Sequence, residues 1–305
     1  MFLITGSTGF IGRQIYKQSN ETHRYVFRVG TGSDLKYEDK YHITELHTTS
    51  WDNALDDIDC IIHLAGLAHS NSFSKNDYNS VNTLGTLKLA SDAAKAGVKR
   101  FVFVSSIGVN GSSTEIGKPF TYRSEVEPHN TYAKSKLDAE IGLKKISDQT
   151  GLEVVIVRPT LVYGPNAPGN FGLLTKLVTK LPLFPFGVVN NKRSFIAVQN
   201  LIDLLLTCAK HPDAAGHVFL ASDGESISTK QFINAVAKGL NKPICQLPVP
   251  TSVMRLGAKL IGKQSMAEQL LDNLEVDSSN AFDVMGWKPL YTMEQAMSLL
   301  SKDVK

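Results

Sequence analysis

The sequence predicts an α/β fold: a doubly wound parallel sheet joined to a smaller C-terminal lobe. Five short runs rich in β-branched and aromatic residues occur in the first half, at residues 2–5, 25–29, 60–65, 100–106 and 153–159. Helical stretches separate several of them, at residues 10–19, roughly 79–97 and 131–149. Near-continuous apolar strands that alternate with helices are typical of a parallel sheet covered by helices on both faces.

The second half of the chain has a different pattern. Four prolines between residues 165 and 185 indicate a loop, a helix and another loop. A helix at about 198–210 and a strand at 217–221 come next, and short helices separated by glycine and proline fill the rest. We therefore predict two domains: a first domain over 1–165, to which 194–222 returns, and a lobe over 166–305.

The composition fits an ordinary globular protein and argues against several other classes. The 305 residues carry a formal net charge of +3, and 42% of them are hydrophobic. The basic residues are scattered, so we expect no nucleic-acid partner. Three widely spaced cysteines and eight histidines without ligand spacing argue against a metal site and favour a reducing compartment. No apolar run reaches the roughly 18–20 residues that cross a bilayer, and we see no signal peptide. We expect a cytoplasmic protein without a membrane span.

The first strand runs directly into the segment TGSTGFIG, in which Gly6, Gly9 and Gly12 are spaced three residues apart. Glycines at this spacing allow the backbone to approach a diphosphate and aim a helix N-terminus at its negative charge. The motif lies between a buried strand and an amphipathic helix, which is the context that dinucleotide binding requires. The first domain is therefore predicted to bind a dinucleotide, and the second to bind the substrate.

The segment YAKSK places Tyr132 and Lys136 four residues apart in a predicted helix. Residues at this spacing lie on one helical face, so both side chains can point into one cleft above the sheet. A solvent-exposed helix face is the simpler interpretation of such a pair, and the choice depends on the motifs around it.

Six motifs occur in the order found in one family: TGSTGFIG, HLAG at 63–66, NTLGT at 82–86, FVFVSSIGV at 101–109, YAKSK at 132–136 and RPTLVYGP at 158–165. Together they resemble the extended short-chain dehydrogenase/reductase family, in its nucleotide-sugar epimerase/dehydratase branch. The segments RSFIAVQN and MGWKPLYTMEQAM further along are similar to the same branch. The resemblance spans essentially the whole chain and implies a Rossmann-type fold.

The resemblance implies a catalytic triad of Ser106, Tyr132 and Lys136. Tyr132 would exchange a proton with a sugar hydroxyl while hydride moves between that carbon and a nicotinamide. Ser106 would hydrogen-bond the reacting oxygen. A free tyrosine has a pKa near ~10, and we expect the neighbouring ammonium and an oxidised nicotinamide to lower it.

The family's other contacts carry over by position. The residues expected at the NAD or NADP cofactor are Gly6, Thr8, Gly9, Phe10, Ile11, Gly12, Arg28, Leu64, Ala65, Gly66, Asn82, Lys136 and Pro159. The residues expected at the activated-sugar substrate are Ser106, Tyr132, Asn170, Phe186 and Arg193. Asn82 has a supporting role near the cofactor or, equally, a hydrogen bond at a helix end. Many relatives dimerise, so we expect a homodimer.

Three departures from the family pattern refine the function. Val29 stands where NAD-type relatives carry a carboxylate, with Arg28 before it and Thr31 and Ser33 after, which slightly favours NADP. Ile107 and Gly108 replace the acid pair of sugar dehydratases, which argues against water elimination. Leu161 replaces an asparagine found in many relatives, which leaves room for a lipid-linked diphosphate sugar.

The predicted function is hydride chemistry at C4 of an activated hexose, carried either by a nucleotide or by a lipid diphosphate. A 4-ketoreductase is slightly favoured by the missing carboxylate. The alternative is a UDP-sugar 4-epimerase, acting on a UDP-glucose or UDP-N-acetylglucosamine type of substrate with tightly bound NAD. A non-catalytic nucleotide-sensing protein is a remote third hypothesis, because such a protein would be expected to lose Tyr132 or Lys136.

Overall fold

The computed structural model describes residues 1–19, 21–32, 37, 39–68 and 72–301. Its strands are β1 Phe2–Thr5, β2 His23–Arg28, β3 Asp39–Ile43, β4 Cys60–His63, β5 Arg100–Val104, β6 Glu153–Pro159, β7 Leu161–Tyr163, β8 Leu183–Phe184, β9 Arg193–Ala197, β10 Val218–Ala221, β11 Ser226–Ile227 and β12 Cys245–Gln246. Its α-helices are α1 Phe10–Gln18, α2 Lys75–Tyr78, α3 Thr86–Lys95, α4 Thr131–Thr150, α5 Gly169–Lys180, α6 Val198–Lys210, α7 Thr229–Gly239, α8 Thr251–Leu260, α9 Gln264–Leu271, α10 Ser279–Met285 and α11 Met293–Ser298.

Seven strands form one sheet in the order β10-β6-β5-β4-β1-β2-β3, and every pair is parallel. From β1 the chain first extends the sheet through β2 and β3, then crosses over to β4 on the other side. The order of connection therefore reverses between β1 and β4. In doubly wound sheets the crevice at the carboxyl ends of the strands beside this reversal is where ligands bind. The predicted Rossmann-type architecture is confirmed.

Two hydrophobic layers cover the sheet. On one face α1 and α6 pack through side chains such as Ile15, Leu201 and Leu205. On the other face α3 and α4 pack through side chains such as Leu89 and Leu143. The strands between these layers are buried on both faces, which explains why they read as continuous apolar runs in the sequence.

The lobe has a third apolar core of its own. Phe171, Phe195 and Phe232 pack around Tyr163, and the rings of Phe195 and Phe232 are stacked with their centroids 3.8 Å apart. Two small sheets border this core, one with the order β11-β9-β7 and one that pairs β12 with β8. The boundary at residue 165 stays a prediction.

Several elements differ from the sequence-based prediction. Strand β3 was not predicted, because its sequence DKYHI is polar at most positions. The helix predicted at 79–97 begins earlier, at Lys75, and contains a π-helical turn over Asn79–Gly85. Ala281, Met285 and Trp287 pack against the sheet layer and not in the lobe core. Among the described residues, no helix is both long and apolar enough to cross a membrane.

Candidate active site

The glycine motif after β1 forms a tight cradle at the start of α1. Gly6 has a φ of +71°, and a Cβ placed there would lie 2.8 Å from the backbone of Leu64 and Ala65. A Cβ on Gly12 would lie 2.5 Å from the carbonyl oxygen of Gly6. Gly9 caps α1, and no side chain occupies its cap position. This close backbone turn at the N-terminus of α1 fits the diphosphate of a dinucleotide.

A buried hydrogen-bonded chain connects the ends of β1 and β4. The Thr86 hydroxyl donates to the Asn82 carbonyl (2.7 Å), so it accepts from Nε2 of His63 (2.9 Å). Nδ1 of His63 then accepts from the Thr5 hydroxyl (2.8 Å), which in turn accepts from the N–H of Ala65 (3.2 Å). Burial, together with the charge of Lys136, lowers the pKa of His63 to about 3. A neutral His63 thus holds the loop after β4 against the glycine cradle.

Asn82 lies in the π-helical turn and anchors the same loop. Its Oδ1 accepts from the N–H of Leu67 (2.7 Å), and its Nδ2 donates to the Leu67 carbonyl (3.1 Å) and to the Ser135 hydroxyl (3.1 Å). A Cβ on Gly66 would lie 2.9 Å from Oδ1 of Asn82 and 3.3 Å from Nζ of Lys136. Asn82 therefore supports the loop at Gly66 and ties it to α4, and a direct contact with the cofactor stays a prediction. π-Turns often occur at functional sites.

The structure brings Ser106, Tyr132 and Lys136 together above the ends of β5 and β6. Ser106 caps a short 3₁₀ turn, where its Oγ accepts from the N–H of Gly108 (3.1 Å), and its hydroxyl also hydrogen-bonds the Tyr132 phenol. Asn130 caps α4 through its side chain, which fixes the helix that carries Tyr132 and Lys136. Nζ of Lys136 donates to the Val104 carbonyl (2.9 Å) and lies 4.7 Å from the centre of the Phe103 ring.

The pKa values of Tyr132 and Lys136 show how the protein's own groups shift both side chains. Burial raises the pKa of Tyr132 to about 12, the nearby Tyr78 adds to this rise, and the hydrogen bond with Ser106 opposes it. Burial lowers the pKa of Lys136 to about 8, and Glu140 opposes this shift. Desolvation of the phenolate therefore dominates in the protein alone, and the lowering expected from Lys136 together with an oxidised nicotinamide stays a prediction. The phenol is protonated at neutral pH in this state.

Behind the triad lies a buried ion pair that the sequence analysis missed. Arg158 donates to both oxygens of Glu140 (3.0 and 2.5 Å), and the Ser105 hydroxyl donates to the same carboxylate. A further N–H of Arg158 donates to Oδ1 of Asn110 (3.0 Å). Glu140 follows Lys136 by one helical turn, on the face that carries Tyr132. This spacing was the available signal, since a carboxylate on the sheet-facing side of a helix needs a buried partner.

Two of the predicted substrate residues lie against the same helix of the lobe. Arg193, at the start of β9, donates to the carbonyl of Asp272 (2.9 Å), and burial lowers its pKa to about 10, so it stays charged at neutral pH. Asn170 is exposed at the start of α5 and donates to Oε1 of Gln269 (3.3 Å). Gln269 and Asp272 lie three residues apart at the end of α9, so this helix end connects both residues.

The segment after α9 joins the lobe to the triad. Arg193 forms a bridge with Leu274, and Phe120 forms one with Val276. Leu274 and Val276 pack with Ile107, the residue that follows Ser106. The sequence did not predict this segment, because its contacts with Arg193 and Phe120 are made by backbone atoms.

The remaining predicted residues are placed as follows. Phe186 is only 8% exposed and packs in the lobe core, so its contact with a nucleotide base stays a prediction. Arg28 is exposed at the end of β2, and Ser33 lies outside the described residues. Phe10 and Ile11 are partly buried and pack against the core. Thr8 lies close to the loop after β2, since a Cβ placed on Gly32 would be 3.1 Å from the Thr8 methyl group. Pro159 ends β6, opposite Ala221.

Comparison with known proteins identifies the family. The model of the NAD dependent epimerase/dehydratase family matches residues 2–221. A UDP-glucose 4-epimerase of Vibrio cholerae is 38% identical over 301 residues, which cover 96% of this chain and 92% of that protein. An N-acetyl-α-D-glucosaminyl-diphospho-ditrans,octacis-undecaprenol 4-epimerase of Escherichia coli O157:H7 is 26% identical, covering 86% of this chain and 81% of its own.

Solved structures share the fold over the whole chain. The UDP-glucuronic acid 4-epimerase of Bacillus cereus in complex with NAD has a TM-score of 0.77 at 19% identity, covering 99% of this chain and 96% of its own. RMD from Pseudomonas aeruginosa complexed with NADPH has a TM-score of 0.75 at 20% identity, covering 99% of both chains. The chain therefore belongs to the NAD-dependent epimerase/dehydratase family and is an enzyme of the extended short-chain dehydrogenase/reductase type.

Proposed function

We propose that this enzyme inverts the configuration at C4 of an activated hexose, as a 4-epimerase that retains its nicotinamide cofactor. The observation that carries the proposal is the convergence of Ser106, Tyr132 and Lys136 beside the glycine cradle. The choice of C4 is supported by the V. cholerae relative, which is 38% identical and is a UDP-glucose 4-epimerase. The carrier of the hexose is UDP or, as in the E. coli relative, a lipid diphosphate.

Each element of the site has a defined part in this reaction. The cradle at Gly6, Gly9 and Gly12 holds the cofactor diphosphate, and Lys136 holds the ribose next to the nicotinamide. When bound, the nicotinamide ring supplies a hydride acceptor that can return the hydride. Ser106 hydrogen-bonds the oxygen on C4, and Tyr132 takes up the hydroxyl proton as C4 is oxidised. Tyr132 returns that proton once the keto sugar has turned, so the net reaction consumes no reductant.

The pKa values support the reduction half of the cycle directly. A phenol with a pKa of about 12 is protonated at neutral pH and can donate its proton to the oxygen of a keto sugar. The oxidation half needs the phenolate, which the positive charges of Lys136 and of an oxidised nicotinamide favour. On the lobe side, Arg193 presents a charged, planar guanidinium suited to the diphosphate of the substrate, with Asn170 close to the same helix end.

The second candidate function is a 4-ketoreductase that uses NADPH. One observation favours it: β2 ends at an exposed Arg28, and Val29 stands in place of a carboxylate that would bind the ribose hydroxyls of NAD. Such an enzyme delivers hydride once, releases the oxidised cofactor and consumes one reductant for each sugar.

One experiment separates the two candidates. The freshly purified protein is denatured, the released nucleotide is identified by mass spectrometry, and intact protein is assayed with UDP-glucose and UDP-N-acetylglucosamine without added cofactor. Retained NAD together with C4 inversion supports the epimerase. Bound or exchanging NADP(H), with turnover of a 4-keto sugar that depends on added NADPH, overturns it in favour of the reductase. UDP-hexoses that stay unchanged under both conditions contradict hydride chemistry at C4 of a UDP-linked hexose.

The homodimer predicted from the family is part of the proposal. Leu84, just before α3, and Ile141, on α4, are large apolar side chains that are about half exposed, at 49% and 47%. Two copies of these helices could cover both side chains in a four-helix contact. The molecular mass in solution tests this assembly.

A further inference from the structure

Helix α8 exposes a stripe of large apolar side chains to solvent. Val253, Leu256 and Leu260 are 56%, 60% and 78% exposed, and Ile261, just beyond the helix, is 72% exposed. Their spacing of three and four residues places the first three on one helical face. Met254 and Ala258, on a different face, pack against the lobe core and fix the helix in place. We name Val253, Leu256, Leu260 and Ile261 the α8 stripe.

The surroundings of the α8 stripe are basic. Arg255 and Lys259 lie on the helix beside it, and Lys263 follows directly. The cleft beside Leu256 is lined by Arg255, Lys259 and one carboxylate, Glu268, and Arg255 is paired with Asp272, so Lys259 and Lys263 outnumber the carboxylate that remains. A helix with an exposed apolar face and flanking cations is typical of segments that lie in the interface of a membrane with anionic lipids. The helix is too short and too polar to cross a bilayer.

The α8 stripe is connected to the substrate side of the active site. The guanidinium of Arg255 pairs with the Asp272 carboxylate (2.5 Å), and the carbonyl of the same Asp272 accepts from Arg193 (2.9 Å). Asn170 contacts Gln269 on α9, and α9 packs directly against α8. A surface that binds lipid at α8 is therefore linked by contacts to the residues proposed to hold the substrate diphosphate.

We propose that the α8 stripe docks the enzyme on an anionic lipid bilayer, with its apolar side chains among the acyl chains and Lys259 and Lys263 at the headgroups. The inference deepens the proposed function, on which it rests, because it selects a lipid-linked diphosphate hexose as the substrate class. A bilayer fits better than a second copy of the chain. A two-fold contact through this helix would bring two copies of Arg255, Lys259 and Lys263 into one interface.

Flotation of the full-length protein with vesicles tests the docking. We expect binding to vesicles of phosphatidylcholine and phosphatidylglycerol in equal parts, release at high salt, and weak binding to phosphatidylcholine alone. The variant Leu256→Gln/Leu260→Gln should lose most of this binding. Lys259→Gln/Lys263→Gln should weaken it roughly 25-fold, since each cation near an anionic surface contributes about fivefold. Matched controls are Leu290→Gln, at a residue 65% exposed elsewhere in the chain, and Lys95→Gln/Lys99→Gln.

The outcomes of these experiments test membrane docking independently of the proposed reaction at C4. The proposal is supported if binding depends on the α8 stripe but not on the control positions. It is also supported if Leu256→Gln/Leu260→Gln loses turnover only on a lipid-linked sugar presented in vesicles. Absence of wild-type binding to the anionic vesicles overturns it, and so does equal loss in the control variants. A change of the Leu256→Gln/Leu260→Gln variant from dimer to monomer also overturns it, because the stripe is then a protein contact. Turnover of a soluble UDP-hexose reports on the proposed reaction alone and should be the same in all these variants.

Discussion

The two sides of the active-site cleft are built in different ways. On the sheet side, polar groups are buried and held by other buried groups: His63 between two threonines, Lys136 on a strand carbonyl, and Glu140 on Arg158. On the lobe side, Arg193 is held by one backbone carbonyl, and Asn170 is exposed with a single long hydrogen bond. The sheet side is pre-organised for one reaction, whereas the lobe side can change its substrate at little cost to the fold.

The largest expected effect is the loss of the phenol on the sheet side. Tyr132→Phe should lower kcat by about 10³-fold or more, because it removes the proton donor and acceptor, while the cofactor stays bound. Tyr78→Phe is the matched control. The rings of Tyr78 and Tyr132 lie 6.0 Å apart, and the Tyr78 hydroxyl donates to the Ala68 carbonyl. Similar losses in both variants, with the cofactor still bound, would contradict the role of Tyr132.

The next effect concerns the ion pair beneath the catalytic helix. Arg158→Met leaves Glu140 charged and buried without its main partner, which should lower the free energy of unfolding by about 3–5 kcal/mol. The double variant Arg158→Met/Glu140→Leu should recover most of this loss. Urea unfolding measures both. Lys118→Met, at an exposed pair with Glu115, should change little. If the single and double variants are equally unstable, the uncompensated charge is not the cause.

On the lobe side we expect an effect on substrate binding and not on stability. Arg193→Lys keeps a positive charge but loses the planar fork, which should raise KM for the diphosphate sugar by roughly 10–100-fold with kcat nearly unchanged. Asn170→Ala should raise KM only a few-fold, consistent with one neutral hydrogen bond. Steady-state kinetics and urea unfolding are measured on the same samples. An unchanged KM in Arg193→Lys, with lower stability, assigns Arg193 a structural role.

The last effect, small near neutral pH, is a dependence of stability on pH that arises from His63. Its pKa is about 3 in the folded protein, so the unfolded chain, with a histidine pKa near ~6.5, binds a proton that the folded chain does not. This stabilisation is complete above pH ~6.5 and falls by about 1.4 kcal/mol per pH unit as the pH decreases towards 3. We expect His63→Gln to have a shallower slope between pH 6.5 and 4.5, by one proton. Identical slopes would mean that folded His63 also takes up the proton.

The sheet side was largely predictable from the sequence. Gly6, Gly9 and Gly12 carry a local signal, since their three-residue spacing occurs within one strand–turn–helix unit. Tyr132 and Lys136 share a face through helical spacing alone. The pairing of Glu140 with Arg158 was not predictable, because it depends on the register between α4 and β6, which no local pattern in either segment encodes.

The lobe side was less predictable for related reasons. Phe186 occurs in a proline-rich loop, and the sequence does not show whether its ring turns towards the lobe core or the cleft. Asp272 contacts Arg193 through its backbone carbonyl, so its residue type gives no signal of that contact. The apolar residues of α8 fit an ordinary amphipathic helix, and only the position of Met254 and Ala258 against the core shows that the α8 stripe faces outward.

The late position of β10 in the sequence affects when the sheet can be completed during synthesis. This strand pairs with β6, but nearly sixty residues separate Pro159 from Val218, and α6, which covers one face of the sheet, also comes after β6. A nascent chain whose first 165 residues have emerged therefore has its first six sheet strands but an open β6 edge, and one apolar face carries α1 but not α6. Open strand edges promote association between chains. We expect ribosome-bound intermediates of this length to be the stage at which synthesis most depends on chaperones.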